Sequence, residues 1–135
     1  MYDQVGIQIA AIVSLLALLI YIWVTLQVGG ARRKYGVAAP AVIGHPDFER
    51  VLRVQANTLE QLVPFLVALW LCVFFLRPSL IAGVLGVLWL VGRVWYAVGY
   101  YAHAKKRGAG FTLSFFATLG LIVGAMFGVV ASFFP

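Results

Sequence analysis

The sequence has few of the charged side chains that coat the surface of a water-soluble protein. Only 10% of its 135 residues are Asp, Glu, Lys or Arg, whereas soluble domains carry roughly a quarter. Apolar residues make up 64% of the chain. Because so few polar groups cannot cover a water-facing surface, the composition excludes a soluble globular domain. It indicates that lipid surrounds most of the chain.

Cysteine is almost absent, and acidic residues are scarce. With Cys72 as the only cysteine, no intrachain disulfide can form. The apolar run VALWLCVFF around it predicts a buried structural thiol rather than a nucleophile, because such surroundings disfavour the thiolate. Four acidic residues stand against ten basic ones, for a formal charge of +6. We interpret this excess as basic loops that face anionic lipid, and we expect no nucleic acid partner and no metal site.

Four long apolar segments account for nearly the whole chain. A helix that crosses a bilayer needs about 20 mostly apolar residues, so 135 residues hold four spans with short loops. The sequence predicts an all-α fold, an integral membrane bundle of four transmembrane helices formed by one domain, residues 1–135. The predicted spans cover about residues 5–28, 48–76, 80–103 and 111–134.

Glycine, proline and a capping residue set the predicted ends of these spans. Gly29-Gly30 is expected to end the first helix, and Asp47 to cap the second. Pro78 suits the start of the third helix. The glycines at Gly108 and Gly110 suit a stop and turn after it.

The distribution of basic residues predicts how the bundle is oriented. Both termini lack basic residues, and Arg77 alone follows the second span. The loops after spans one and three hold the basic residues Arg32, Arg33, Lys34, Lys105, Lys106 and Arg107. The positive-inside rule places these two loops in the cytoplasm and both termini on the opposite side. In a bacterial cell, this multi-pass protein is expected in the inner membrane.

A polar stripe runs along the second predicted helix. Arg53, Asn57, Glu60 and Pro64 are spaced four, three and four residues apart, so they fall on one helical face. A charge inside a span costs at least about 2.5 kcal/mol on insertion scales, and several together indicate a polar interior site. Arg50 extends the stripe. An alternative stays open, in which Arg53 and Glu60 form interhelical ion pairs and Asn57 an interhelical hydrogen bond.

A second stripe follows the third helix and approaches the same end of the bundle. Its members are Arg93, Tyr96, Tyr100 and Arg107, at spacings of three, four and seven. Guanidinium groups favour carboxylate partners, and Glu60 offers one anionic group for an ammonium. The two stripes therefore predict a site for a small zwitterion with an excess of carboxylate.

At these residues the chain resembles the family of membrane-associated proteins in eicosanoid and glutathione metabolism (MAPEG). The run ERVLRVQANTLEQLVPF, residues 49–65, is similar to the signature of its microsomal glutathione transferases. The core of the match is Arg53-x3-Asn57-x2-Glu60, followed by Pro64. Two further segments also fit: Leu26-Gln27 with Ala31-Arg32-Arg33, and Arg93-x2-Tyr96-x2-Gly99-Tyr100 leading to Arg107.

The resemblance implies a homotrimer that binds glutathione between neighbouring subunits near the cytoplasmic face. Arg53, Asn57 and Glu60 would then hold the peptide, with Glu60 on the γ-glutamyl amine, and Arg107 would stabilise the catalytic thiolate. The same pocket would include Arg32, Gln55, Arg93, Tyr96 and Tyr100. Glutathione is the expected co-substrate, and the acceptor a lipophilic electrophile or a lipid hydroperoxide from the membrane.

Two departures from the eicosanoid branch bear on the reaction. Gln61 and Trp95 stand where cysteinyl-leukotriene synthases have a tyrosine and an arginine, so the resemblance favours a detoxifying transferase or peroxidase. One alternative is a non-catalytic lipid- or glutathione-binding protein of the same fold. Another is a small proton-coupled multidrug exporter that uses Glu60, although such a carboxylate is expected to have few arginines around it.

Overall fold

The fold is a bundle of four α-helices joined by short connections. The structure is a computed structural model, and it describes residues 3–134. The helices are α1 (Gln4–Tyr35), α2 (Pro46–Phe75), α3 (Leu80–Ala102) and α4 (Gly108–Ala131), with a 3-10 turn, Ala104–Arg107, before α4. All four are long and apolar enough to cross a membrane, and the described residues contain no strand. The predicted all-α, four-span bundle is confirmed.

The first helix runs beyond the predicted end. α1 continues through Gly29 and Gly30 to Tyr35 and ends at Gly36, whose φ of 67° lies in the left-handed region. A glycine inside a helix costs only about 0.5–1 kcal/mol, and the helix hydrogen bonds outweigh that cost. The cluster Arg32-Arg33-Lys34 consequently occupies the last helical turn, where cations interact favourably with the helix dipole.

The second helix starts earlier than predicted, so the assignment of Asp47 as its cap is wrong. Pro46 occupies the first turn, and the Nδ1 atom of His45 accepts a hydrogen bond from the Asp47 backbone nitrogen at 3.1 Å. Proline suits this position because its fixed φ is helical and a first-turn residue needs no donor. Asp47 instead lies in the first turn and pairs with Arg50.

α3 matches the predicted span of residues 80–103 to within one residue, but the residues expected to start and stop it do not do so. α3 begins at Leu80 after Ser79, so Pro78 lies outside it. At the other end the chain leaves α3 at His103, which is extended (φ −162°) and whose Nδ1 accepts from the Lys105 backbone nitrogen. Gly108 has helical angles and starts α4 rather than stopping α3.

The apolar core is built around an aromatic stack. Phe65 of α2 and Trp89 of α3 are fully buried, with ring centroids 4.0 Å apart. Leu121 of α4 and Cys72 join the same core, and the burial of Cys72 agrees with its predicted structural role. The outer faces of the helices expose Leu, Ile, Val and Phe side chains, as lipid-facing surfaces require.

At one end of the bundle, Asp3 caps the start of α1 and also links it to the start of α3. The Asp3 carboxylate accepts from the backbone nitrogens of Val5 and Gly6 at the start of α1, and from the Ser79 hydroxyl before α3. The Ser79 hydrogen bond, followed by that of the Gly6 amide, holds the pKa of Asp3 below its ordinary value. The opposite end carries the six basic residues named above, and we call it the basic end.

Helices α3 and α4 approach each other too closely for side chains at their crossing point. A Cβ added to Gly92 would lie 2.7 Å from the Ser114 backbone nitrogen and 3.0 Å from the Gly110 carbonyl oxygen. A Cβ on Gly110 would overlap the backbone of Tyr96. Since backbone atoms cannot turn aside as a flexible side chain does, both positions require glycine.

We therefore expect Gly110→Ala to lower the free energy of unfolding by about 1–3 kcal/mol, as overpacking of a tight core does. Gly30→Ala is the matched control, because nothing lies within 4 Å of the added Cβ and the change should stabilise α1 by about 0.5–1 kcal/mol. Circular dichroism of the purified protein in detergent, followed against denaturant, measures both. Equal stability of the Gly110→Ala variant and the native chain would contradict the close-packing argument.

Candidate functional site

A polar cavity opens at the basic end, between α2, α3 and the start of α4. Its volume is about 320 Å³, within the range of small-molecule sites. Its walls are formed by Arg53, Asn57, Tyr96, Tyr100, Arg107, Gly108 and Phe111. The structure thus brings together five of the nine predicted site residues, and we call this space the polar cavity.

On α2, the cavity residue Arg53 forms an ion pair with Glu60 that faces outward from the bundle. Arg53 Nη1 lies 3.3 Å from Glu60 Oε1, and the two side chains are 54% and 53% exposed. The pair joins two residues of α2, so it is not the interhelical brace considered as an alternative. Arg50 pairs with Asp47 and does not continue the stripe into the cavity.

The α3 wall is aromatic and ends at a cation. Tyr96 and Tyr100 lie with ring centroids 5.7 Å apart, and Arg107 Nη1 donates to the Tyr100 hydroxyl at 3.3 Å. The Arg107 guanidinium also lies 5.4 Å from the Tyr100 ring centroid. Arg107 belongs to the 3-10 turn, so the predicted single helical face ends at Tyr100, and the long arginine side chain reaches back to the cavity.

Arg93 lies behind the cavity wall and is completely buried. Its Nη2 atom donates to Asn57 Oδ1 and Thr58 Oγ1, both at 2.9 Å, and its Nη1 atom is 3.5 Å from Ser114 Oγ. Its guanidinium carbon also lies 4.3 Å from the Tyr96 ring centroid. Among residues 3–134, no carboxylate pairs with this cation. Arg93 therefore links α2, α3 and α4 and does not line the cavity itself.

Besides Arg93, three predicted site residues do not line the polar cavity: Glu60, which pairs with Arg53, and Arg32 and Gln55, which lie elsewhere in the chain. Arg32 Nη1 donates to the carbonyl oxygens of Ala41 at 2.8 Å and Val37 at 3.4 Å, so it fastens the loop after α1. Gln55 Nε2 donates to Thr25 Oγ1 of α1 at 3.3 Å. A single chain consequently does not bring these two side chains to Arg53 or Arg107.

The sequence analysis missed the contribution of α4. Phe111 lines the cavity and Ser114 contacts Arg93, whereas no site residue was predicted on the fourth span, which lacks ionisable residues. A signal was available in Ser114 and Thr118, two polar residues spaced four apart in a helix whose one other polar side chain is Thr112.

An apolar groove lies next to the polar stripe, between α2 and α4. Its volume is about 450 Å³, and it begins at Pro64, one turn after Glu60. The other lining residues are Val67, Ala68, Leu71, Ile122, Ala125, Met126, Val129 and Val130. A charged stripe and a lipid-accessible apolar surface therefore follow each other along α2.

Comparisons with known proteins agree with this architecture. The model of the MAPEG family matches residues 10–127. An uncharacterized protein of Synechocystis is 49% identical over 120 residues, which cover 89% of this chain and 87% of that protein. Human microsomal glutathione S-transferase 2 is 41% identical over 124 residues, 91% of this chain and 83% of the human protein. Bovine leukotriene C4 synthase is 36% identical over 135 residues, 100% of this chain and 88% of the bovine protein. The chain is a multi-pass integral membrane protein and belongs to the MAPEG family.

Proposed function

We propose that this chain is a membrane-bound glutathione transferase, with glutathione peroxidase activity toward lipid hydroperoxides. The observation that carries the proposal is the polar cavity, in which Arg53, Asn57 and Arg107 meet at the basic end of a lipid-embedded bundle. Relatives named glutathione S-transferase and leukotriene C4 synthase, at 41% and 36% identity, support glutathione as the co-substrate.

The charges of the site complement those of glutathione, which carries two carboxylates, one ammonium and a thiol. Arg53 suits a carboxylate, and Glu60 suits the γ-glutamyl ammonium. Within the chain these two side chains pair with each other at 3.3 Å. A zwitterionic ligand can replace both partners: its carboxylate takes the place of Glu60 beside Arg53, and its ammonium takes the place of Arg53 beside Glu60. Neither side chain is then left with an uncompensated charge near the membrane.

Arg107 is the residue that would activate the thiol. A free thiol has a pKa near 8.5, so only a small fraction is ionised at neutral pH. A guanidinium beside the sulfur favours the thiolate without accepting a proton itself. The Tyr100 hydroxyl, at 3.3 Å from Arg107 Nη1, holds this cation toward the cavity.

The thiolate then reacts with a substrate that arrives from the lipid. In the transferase reaction, sulfur bonds to an electrophilic carbon and the leaving group departs with its electron pair. In the peroxidase reaction, sulfur attacks the distal oxygen of a hydroperoxide and the O–O bond breaks, so that the alkoxide leaves with the bonding electrons and takes a proton from water to become the alcohol. A second glutathione then converts the sulfenic acid to the disulfide and water. The apolar groove that begins at Pro64 suits the lipophilic partner in both cases.

We also propose that the site is completed by further copies in a homotrimer. Arg53 and Glu60 are about half exposed on a spanning helix, and exposure of charge to lipid costs at least about 2.5 kcal/mol on insertion scales. A neighbouring subunit that covers this face removes that cost. It would also supply Arg32 and Gln55, which lie outside the polar cavity of their own chain.

The basic end is proposed to face the cytoplasm, with both termini across the membrane. Five basic residues of α1 and the 3-10 turn, Arg33, Lys34, Lys105, Lys106 and Arg107, are exposed there. This side of the membrane is where the positive-inside rule places basic residues, and the polar cavity opens at the same end.

Formation of a bound thiolate tests the function directly. The purified protein in detergent should develop the ultraviolet absorbance of a thiolate when glutathione is added at neutral pH, and should then conjugate or reduce members of a panel of lipophilic electrophiles and lipid hydroperoxides. Glutathione binding without thiolate or turnover would indicate a non-catalytic binding protein. Absence of glutathione binding would overturn the proposal altogether.

A further inference from the structure

We propose that Arg93 is a positioning residue: its guanidinium fixes the Asn57 carboxamide so that the amide nitrogen, and not the oxygen, faces the polar cavity. The identity of the ligand group that Asn57 meets rests on the proposed function. The orientation of the Asn57 side chain does not depend on the proposed function, and it can be measured in the protein without ligand.

The geometry that carries this inference is a short contact between two buried side chains. Arg93 is 0% exposed and Asn57 is 7% exposed, and Arg93 Nη2 lies 2.9 Å from Asn57 Oδ1. Thr58 Oγ1, also at 2.9 Å from Nη2, and Ser114 Oγ hold the guanidinium in place from α2 and α4. The Tyr96 ring covers one face of it. Arg93 therefore has little freedom to move away from Asn57.

The chemistry of the two groups sets the orientation of the amide. A guanidinium has five donors and no acceptor, whereas a carboxamide has a donor end and an acceptor end. Only the oxygen of Asn57 can accept from Arg93, so the NH2 group is left for the cavity. Among residues 3–134, the structure gives this NH2 group no protein acceptor. A ligand acceptor is its complement.

This orientation makes the cavity wall selective for acceptor groups. The Asn57 amide nitrogen, Arg53 and Arg107 are all hydrogen-bond donors. The wall that they form therefore suits a carboxylate or a peptide carbonyl. With the amide reversed, the Asn57 oxygen would face the same ligand oxygens and repel them. Arg93 thus influences ligand affinity through Asn57 without touching the ligand.

A purely structural role for Arg93 is the competing explanation, since the residue also joins three helices. The two roles differ in what they predict for Asn57. A cross-brace affects the stability of the bundle, whereas a positioning residue also fixes the Asn57 side chain and changes ligand affinity only when Asn57 is present. Ser114→Ala is the matched control, because it weakens the brace to α4 and leaves the contact between Arg93 and Asn57 intact.

Asn57 is the only asparagine of the chain, which gives a direct readout. Protein labelled with ¹⁵N in the asparagine side-chain amide has a single NH2 group to observe by nuclear magnetic resonance in detergent micelles. In the native chain and in Ser114→Ala its order parameter should be near the rigid value of about 0.85. In Arg93→Met it should fall below about 0.6, and Arg93→Lys, which retains a donor, should restore part of the order. A rigid Asn57 in folded Arg93→Met would overturn the proposal.

Ligand affinity provides the second readout, measured by calorimetric titration with glutathione. Arg93→Met should raise the Kd about tenfold, which is about 1.4 kcal/mol, while Ser114→Ala keeps it within about twofold. In an Asn57→Ala background the Arg93→Met effect should vanish, because residues that act through one contact are not additive. Equal effects in both backgrounds would leave Arg93 as a cross-brace and contradict the proposal.

A second variant guards against a failure of Arg93→Met to fold. Asn57→Asp should fold, because its carboxylate can pair with the buried Arg93, but it places an acceptor toward the cavity and should raise the Kd at least tenfold. An unchanged Kd would contradict the inferred orientation. If the native chain binds no glutathione, the proposed function fails, and the order parameter of Asn57 still decides the role of Arg93.

Discussion

Replacing Arg107 with alanine is expected to reduce kcat for glutathione conjugation about 10²- to 10³-fold, the usual cost of removing a group that stabilises developing negative charge. The thiolate absorbance of bound glutathione should disappear as well. The Kd for glutathione should change far less, because Arg107 is proposed to act on the sulfur, while Arg53, Asn57 and Glu60 hold the rest of the peptide.

The pH dependence identifies the cause of this loss. Without the guanidinium, glutathione ionises only as the pH rises through the ordinary thiol pKa near 8.5. Because a thiol with a pKa near 8.5 is only about 3% ionised at pH 7, the activity of Arg107→Ala should increase about 30-fold as the pH rises through that range, whereas the native activity is expected to be nearly constant there. The rest of the loss should persist at high pH, because the guanidinium is still missing beside the sulfur.

Lys106→Ala is the matched control, since Lys106 is an exposed cation in the same 3-10 turn and does not line the polar cavity. It should retain native kcat. If Lys106→Ala and Arg107→Ala lose activity equally, the effect comes from the charge or structure of the turn, and Arg107 is not the activating group.

Glu60→Gln and Arg53→Ala are each expected to raise the Kd for glutathione at least tenfold, or about 1.4 kcal/mol. Glu60→Gln removes the proposed partner of the γ-glutamyl ammonium, and Arg53→Ala removes that of a carboxylate. Calorimetric titration measures both. Glu49→Gln, which changes a carboxylate elsewhere on α2, should bind glutathione as the native chain does.

Two further tests separate ligand binding from the internal ion pair. A glutathione analogue without the γ-glutamyl amine should bind the native chain weakly and should lose nothing further in Glu60→Gln. The double variant Arg53→Glu/Glu60→Arg retains an ion pair between these two positions, whose charged atoms are 3.3 Å apart in the native chain. It should not bind glutathione, because each charge is then on the wrong side of the ligand. Native affinity in the double variant would show that the pair is structural and that the assigned contacts are incorrect.

The sequence predicted the four helices and the range of α3 well because long apolar segments dominate it, but it misassigned the end of α1 and the cap of α2. Helix ends depend on competition between local contacts: Gly29 and Gly30 look like breakers, yet they have open space around them and remain helical. The true end needs a left-handed residue, which Gly36 supplies. Likewise, the Nδ1 atom of His45 took the capping role expected of Asp47.

The sequence predicted which residues belong to the site, but not which side chains contact one another across the helices. Helical spacing placed Arg53, Asn57 and Glu60 on one face, and the structure agrees. The same spacing could not reveal that Arg93 is enclosed by Asn57, Thr58 and Ser114, because the partner on α4 is brought near only by the close crossing at Gly92 and Gly110. Nor could it show that Arg32 and Gln55 make other contacts within one chain.

The stack of Phe65 on Trp89 has a consequence for the permeability of the bundle. These rings lie one turn of α3 beyond Arg93, on the side away from the basic end, and they are in contact at 4.0 Å with no exposed surface. Water that reaches the polar cavity meets this apolar barrier close to the middle of the bundle. Among the described residues, the stack therefore separates the charged side chains of the polar cavity from the opposite end of the bundle along the interface between α2 and α3.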